Sequence, residues 1–575
     1  MRGLVTASSN QTRSSFMPMK SLHYGLCLFL CLAVLGWTAP ASSQQTASEM
    51  ERQALTIDQR INQAVQPLTR TLGSVLFSGF EFSNDAASHD DLTFEGLTLY
   101  DPVADRTTID GRERIVFPFI VLLLISAAVY FTFYMRFINF RAFRQSLRIV
   151  SGKYDNPDDP GEVTHFQALS AALSGTVGLG NIAGVAIAVS IGGAGATFWM
   201  ILAGLFGMTS KFVECTLGHH YRKIDENGVV SGGPMYYLSQ GLAELGLPGL
   251  GKVLAVLAAI LCLAGAFGSG AMFQVNQATQ QFASTFELAT GSGFFTQAGW
   301  SFGLVYAAVV GFVIIGGIRK IAHVTEILVP AMAGIYLSTA LVIIFFNITE
   351  VPAAFGAILE GAFSPEGVTG GLIGVLIQGL RRASFSNEAG LGSAAIAHAA
   401  AKTREPVAEG LVALLEPFVD TVVVCTATAL VIILTGMHEI GGANGITLTS
   451  NAFASVFSWF PYILSVEVVL FAFSNSITWF YYGQRCFVYL FGDSRVLDLS
   501  LKIAFLGTLI VGSAMQLTTV MDFADAMLLS MAFPNIIGLY ILAPKVKRML
   551  GSYLSRLKSG EIQPYVAVAE AKPAG

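Results

Sequence analysis

Charge is what this 575-residue chain has least of: Asp, Glu, Lys and Arg make up only 12% of it. Soluble domains carry about 25% charged residues, and a soluble fold of this length could not cover its surface with so few. Hydrophobic residues instead reach 53%, mean hydropathy is +0.61, and 59 glycines suit helices that pack closely in a bilayer. The composition is that of a polytopic membrane protein. An excess of one sign of charge is also missing. The net charge is −5 and the pI about 5.9, which gives no sign of a nucleic-acid partner. The six cysteines, at 27, 31, 215, 262, 425 and 486, all fall in apolar runs, so neither a disulfide framework nor a metal-ligand spacing is visible. No G-x-x-x-x-G-K-[ST] loop occurs, which disfavours ATP-driven pumping and a nucleotide partner. A membrane-embedded hydrolase would need a nucleophile with histidine or metal partners inside the apolar runs, and only peripheral His398 approaches that.

The N-terminus has the parts of a secretory signal peptide. Arg13 and Lys20 precede an apolar stretch from about Leu22 to Leu35, closed by Ala39-Pro40-Ala41. That stretch is shorter than the ~20 residues a spanning helix needs, and an uncleaved extra helix is the other reading. Residues 1–41 are therefore assigned to the signal peptide and 42–113 to an export-side segment, polar and loosely organised. Within it Met50–Leu76 has helix-compatible apolar spacing.

Eleven apolar segments follow, at about 115–135, 164–191, 195–218, 252–282, 298–316, 323–347, 370–398, 408–435, 461–489, 500–520 and 524–544. Loop charge tests this count, because cytoplasmic loops hold Lys and Arg. With the mature N-terminus outside, the first inner loop carries Arg136, Arg141, Arg144, Arg148 and Lys153. Alternate loops hold Arg222 with Lys223, Arg319 with Lys320, Lys402 with Arg404, and Arg495 with Lys502, and the tail holds Lys545, Lys547 and Arg548. The opposing loops (283–297, 348–369, 436–460 and 521–523) have no Lys or Arg. The expected topology is N-terminus out and C-terminus in, across a bacterial inner membrane, with residues 549–575 as a cytoplasmic tail.

Two segments are not plain helices. Gly178-Leu179-Gly180-Asn181 interrupts the second and Ser386-Asn387-Glu388-Ala389-Gly390-Leu391-Gly392 the seventh. Glycine costs about 1 kcal/mol against alanine in a helix interior, and unwound backbone at membrane depth is tolerated only where it lines a cavity or is buried in protein. The interruptions lie five segments apart, so the second unit enters from the opposite side, as in an inverted repeat. Paired interruptions are the best sequence pointer to a transporter's binding site. Half-helix N-termini suit a carboxylate, and freed carbonyls suit a small hard cation such as sodium. The plain alternative is that these glycines only permit close packing.

The residues around both breaks resemble the alanine or glycine:cation symporter family. They are FQALSAALSGTVGLGNIAGVA, IGGAGATFWM and GMTSKFVECTLGHHYR within Phe166–Tyr221, SGGPMYYL at 231–238, RRASFSNEAGLGSAAIAHAAAK at 381–402 and EPFVDTVVVCTAT at 416–428. The resemblance runs from about 115 to 548. It implies an all-α membrane protein of the five-plus-five inverted-repeat, leucine-transporter-like fold within 114–548. One extra helix at 115–135 would precede repeats at 164–347 and 370–544. It also implies sodium as the coupling ion, no further cofactor, and small amino acids as cargo. Residue by residue, Leu179 and Gly180 match backbone N–H groups that hold the substrate carboxylate, with Thr176 beside them. Gln274, Phe385, Ser386, Asn387 and Trp479 match the rest of the substrate pocket. The Asn181 side-chain oxygen and Thr176 carbonyl match one sodium site; the Ser174 and Val177 carbonyls with Ser474 and Asn475 match a second. Many family members have threonine where Leu179 stands, the family often has threonine where Asn475 stands, and Thr478 replaces a frequent glycine.

Ionisable residues inside apolar segments default to functional readings. Glu388 reads equally as a carrier of coupling charge or a proton, or as a partner for freed backbone N–H groups. Arg381 and Arg382 are expected to pair with Glu388, and Lys211 with Glu214 three residues on. Asp420 and Thr421 divide between sodium-site support and helix–helix hydrogen bonding, and His398 reads as packing or capping. The leading expectation is sodium-driven import of alanine or glycine, with a proton-coupled carrier of the same fold as the alternative. A channel would show pore symmetry across subunits rather than two breaks in one chain, and a receptor on a transporter scaffold would bind without accumulating.

Overall fold

The computed structural model describes residues 56–85, 93–98, 108–109, 112–315, 317–363, 371–439 and 445–565; the expected signal peptide lies outside them. The described chain opens with a capping box. Thr56 accepts from the Gln59 backbone N–H while the Gln59 side chain accepts from Thr56 N–H, and helix α1 (Ile57–Leu76) starts there. Four strands follow, β1 (Gly79–Asp85), β2 (Thr93–Thr98), β3 (Thr108–Ile109) and β4 (Arg112–Pro118), in an antiparallel sheet of order β2-β1-β4-β3. This sheet corrects the expectation of an all-α chain with a loose export-side segment. Strands of two to seven residues give too short a period-2 signal to stand out from sequence.

Helix α2 (Phe119–Tyr134) leads from β4 into the bundle. Then come α3 (His165–Thr176) and α4 (Val185–Gly192), separated by the break, and α5 (Ala196–His220). Next are α6 (Pro248–Thr290), α7 (Gly299–Ile314), α8 (Ile318–Phe346) and α9 (Val351–Phe363). The second half holds α10 (Gly371–Asn387), α11 (Ala394–His398), α12 (Pro406–Leu434), α13 (Phe460–Phe491), α14 (Arg495–Ala514) and α15 (Leu517–Ser559). Length and apolarity mark seven of the described helices as candidate spans, or eight if the α3–α4 pair counts as one. Helix length by itself accounts for seven or eight of the expected eleven. At 16 residues each, α2 and α7 reach only about 24 Å at 1.5 Å per residue, short of the ~30 Å hydrocarbon core.

Two boundaries also move. The turn expected at 521–523 lies at Met515–Gln516, where Asn276 Nδ2 holds the Gly512 and Met515 carbonyls at 3.0 and 2.7 Å. The expected tail from 549 begins inside α15, which runs on to Ser559. Buried apolar side chains form one continuous core through the bundle. On its rim Phe312, Ile315 and Phe345 are exposed, as suits lipid-facing positions. The chain is a mostly helical, multi-pass membrane protein.

Candidate functional site

The first break is built from close backbone approach. Val177 leaves α3 in an extended conformation, and the chain re-enters α4 bent by 51°. A β-carbon on Gly178 would stand 2.9 Å from Asn475 Nδ2 and 3.2 Å from Gln274 Oε1, so a side chain there would have to push both amides aside. The freed N–H groups find side chains: Gly178 N–H donates to Asn181 Oδ1 (2.8 Å) and Leu179 N–H to Gln274 Oε1 (3.2 Å). Gln274 thus occupies the backbone amide that the resemblance assigns to a substrate carboxylate. It can do so because α6 loosens into a wider turn over Gly268–Phe273, where Ser269 O accepts from Gln274 Nε2.

The second break follows α10. Glu388 has φ +56°, and Gly390 and Gly392 have φ +87° and +86°, three residues in the left-handed region within one turn. Asn387 caps the exposed backbone, accepting from Ala389 N–H at 3.0 Å and donating to Thr421 Oγ1 at 3.0 Å. Phe385 packs edge-on against Phe273 with centroids 5.1 Å apart. The two breaks touch: a β-carbon on Gly180 would lie 3.4 Å from Ser386 Cα.

One buried carboxylate joins them. Asp420 Oδ1 accepts from Asn181 Nδ2 at 2.6 Å, and Oδ2 accepts from the Ser386 and Thr421 hydroxyls, both at 2.8 Å. These partners are all neutral. Asp420 sits in a widened stretch of α12 (Phe418–Cys425), and there it turns toward both breaks at once. Sequence alone left Asp420 open between helix bonding and ion-site support, and its link to Ser386 and Asn181 was missed.

Helix α13 makes the third wall. Ser174 Oγ donates to Ser474 O (2.7 Å) and accepts from Thr478 Oγ1 (3.0 Å). Asn475 Nδ2 donates to Gly175 O at 2.5 Å, which leaves its buried Oδ1 without a hydrogen-bond partner. Trp479 Nε1 faces both Gly175 O (3.1 Å) and Glu388 Oε1 (3.2 Å), so the indole ties the first break to the second. The Thr176 hydroxyl bonds back to Ala172 and Leu173 carbonyls in its own helix, and Val177 is buried at the helix end. All the expected site residues are buried and gathered here.

One expected pairing changes, one gains a closer partner, and His398 takes a partner that was not expected. Arg381 and Arg382 meet Asp525 of α15, Arg381 at 2.8 Å, while Glu388 turns to Trp479 and to Ser393 Oγ (2.5 Å). The left-handed turn at Glu388 carries its side chain away from the preceding helix face. Lys211 keeps the expected pair with Glu214 at 3.9 Å and gains a closer one with Glu416 at 2.9 Å, while the other Glu214 oxygen accepts from Gly392 N–H and Asn535 Nδ2. His398 neither caps nor merely packs; its Nδ1 is 2.5 Å from Glu409. An ionisable Asp inside the apolar α15 was the one sequence signal for Asp525.

Residues 105–567 match the model of the sodium:alanine symporter family. The chain belongs to that family. It is 39% identical to the sodium/alanine symporter AgcS of Methanococcus maripaludis, over 74% of this chain and 92% of that one. It is 34% identical to a probable sodium/glutamine symporter, GlnT, of Bacillus subtilis, over 77% and 89%. Identity to the amino-acid carrier protein AlsT of the same organism is 33%, over 77% and 91%. A crystal structure of MhsT with L-phenylalanine aligns with a TM-score of 0.45 and 16% identity over 67% of this chain and 99% of that one, too loose a likeness to carry an argument. The family's members are transporters, and α1 with β1 and β2 lies before the matched residues.

Proposed function

We propose that this family member is a secondary active symporter that imports small neutral amino acids, alanine or glycine, together with sodium by alternating access. The observation that carries the reading is the meeting of two unwound segments through Asp420, with Gln274 and Trp479 closing the space around them. A carboxylate buried among neutral donors calls for a cation nearby, and sodium on the Asn181 oxygen and Thr176 carbonyl supplies one. The unpartnered Asn475 Oδ1 supports a second sodium position with Ser474 and the Ser174 and Val177 carbonyls. The amino acid enters between the breaks. Its carboxylate displaces Gln274 from Leu179 N–H and takes Gly180 N–H as well. Its small side chain lies toward Phe385, Ser386, Asn387 and Trp479, where added methylenes lack volume.

In this reading 11 membrane segments, with α2, α7 and α10 as spans, form an extra helix and two inverted repeats in the inner membrane, N-terminus out. The electrical term, about 2.3 kcal/mol per charge per 100 mV, helps to drive import. The test is uptake of labelled alanine into proteoliposomes, competed by a panel of small amino acids, with sodium replaced by potassium at constant pH. Alanine accumulating only with sodium upholds the proposal. Equal uptake in potassium, or binding without accumulation, ends it.

A further inference from the structure

A second cluster of buried ionisable groups runs from the edge of the second break toward the basic-loop face. Lys211 and Glu214 of α5, His398 of α11, Glu409 and Glu416 of α12, and His165 at the first turn of α3 are all fully buried. They stand in sequence. Lys211 Nζ lies 2.9 Å from Glu416 Oε1, and Glu416 Oε2 lies 3.7 Å from His398 Nε2. His398 Nδ1 lies 2.5 Å from Glu409 Oε1, and Glu409 Oε2 bonds His165 Nδ1. His165 Nε2 then lies 3.8 Å from Asp155 Oδ1, whose side chain is 29% exposed.

Two features make this more than a structural ion network. Lys211 alone cannot balance three buried carboxylates, so protons held within the cluster must make up the difference. The atoms across the two longer gaps, Glu416 Oε2 with His398 Nε2 and His165 Nε2 with Asp155 Oδ1, have no other hydrogen-bond partner. A water or a small shift closes each gap. Other charged or titratable groups around the chain are His219, held at 3.3 Å to Ala401 O, and Cys215 of α5; Arg222, bound to four backbone carbonyls; Tyr482 of α13; and Glu388.

We propose that Asp155, His165, Glu409, His398 and Glu416 form a proton relay that exchanges with the solution on the basic-loop side. A proton from hydronium lands on Asp155 and passes to His165 Nε2 as His165 gives its Nδ1 proton to Glu409. Glu409 passes a proton to His398 Nδ1 from its other oxygen, and His398 Nε2 protonates Glu416. Each middle member gains one proton and loses one, so the net change is one hydronium consumed and one carboxylate neutralised. Neutral Glu416 loosens its hold on Lys211. The ammonium is then drawn to Glu214, which grips Gly392 N–H and Asn535, so the proton state reaches the second break. The proton exchange rests on the buried chain alone; its place in a transport cycle rests on the proposed symport.

The test uses the full chain in nanodiscs with ¹⁵N-labelled histidine. Ring signals of His165 and His398, assigned by their loss in His165→Gln and His398→Gln, are expected to shift as the bath pH moves through about 5 to 9. After a pH jump followed by infrared difference spectra, Asp155→Asn slows the change about tenfold or more, and added azide, a small weak acid, restores the rate. A purely structural salt bridge gives no such rescue. Histidine signals fixed across that range, or an Asp155→Asn protein that responds as fast as its parent, overturn the relay. Neither readout involves amino-acid uptake, so the relay and the symport fail separately.

Discussion

Asp420→Asn tests the centre of the site with little change of shape. The Asn181 amide occupies Asp420 Oδ1 at 2.6 Å, and the two hydroxyls occupy Oδ2 at 2.8 Å each. An asparagine oxygen keeps the first bond. Its NH₂ then faces Ser386 and Thr421 hydroxyls, which can rotate to accept. The variant should fold, with stability lowered by about 1 kcal/mol, whereas Asp420→Ala takes the carboxylate from three buried donors, leaving Asn181 Nδ2 the Asp420 carbonyl and Cys425 Sγ and leaving Ser386 only Cys425 Sγ, and should cost roughly 2–4 kcal/mol. The charge is what Asn removes. A cation on Asn181 Oδ1 would lie roughly 6 Å from the carboxylate, and at an effective dielectric of about 20 the attraction is about 3 kcal/mol. Loss of that term should weaken sodium affinity about a hundredfold. Sodium titration of alanine uptake in proteoliposomes, with melting measured alongside, reads both quantities. If Asp420→Asn melts normally and needs the same sodium within twofold, Asp420 is only a helix–helix bond and the reasoning fails.

Gln274→Ala frees Leu179 N–H for the substrate carboxylate but removes the amide that walls the pocket, and loss of the wall should dominate, so equilibrium alanine binding should weaken about tenfold while sodium binding persists; unchanged alanine affinity removes Gln274 from the site. Gly178→Ala drives a methyl to within 2.9 Å of Asn475 Nδ2 and should lower stability by about 1–3 kcal/mol, read as a drop in melting temperature. In α1, Asp58 accepts from Gly299 N–H (3.0 Å) beside a cavity of about 550 Å³ reached by Asn276 and Gln280. Burial holds the Asp58 carboxyl above the usual carboxylate range, although its hydrogen bonds with backbone N–H groups pull the other way. The docked state therefore favours the protonated form. Its contribution is complete below the ordinary carboxylate range and falls as pH rises through the raised value. Hydrogen exchange in α1, corrected for its intrinsic pH dependence, should show tighter docking in acid, and Asp58→Asn should abolish that trend.

Much of the site's inventory was readable before any coordinates. Breaks at 178–181 and 386–392 announce themselves because glycine beside polar residues is a local property of backbone conformation, whereas Gln274 and Trp479 came only through the family resemblance. The short strands β1–β4 and the turn at Met515–Gln516 did not, since each depends on what the segment packs against. The ion pairs failed for a related reason. Arg381 and Arg382 have Glu388 as the near neighbour in sequence but Asp525 as the partner in space.

The amino-acid order by itself determined that the chain lives in a membrane, which loops carry basic charge and where the backbone must unwind, because these follow from composition and from interactions a few residues long. Only the packed bundle decided that Asp420 would reach Asn181 and Ser386 together, or that two histidines and two glutamates would line up toward Asp155. Helices apolar on every side carry no stripe to say which face meets which neighbour. That choice is made by side-chain packing between segments hundreds of residues apart.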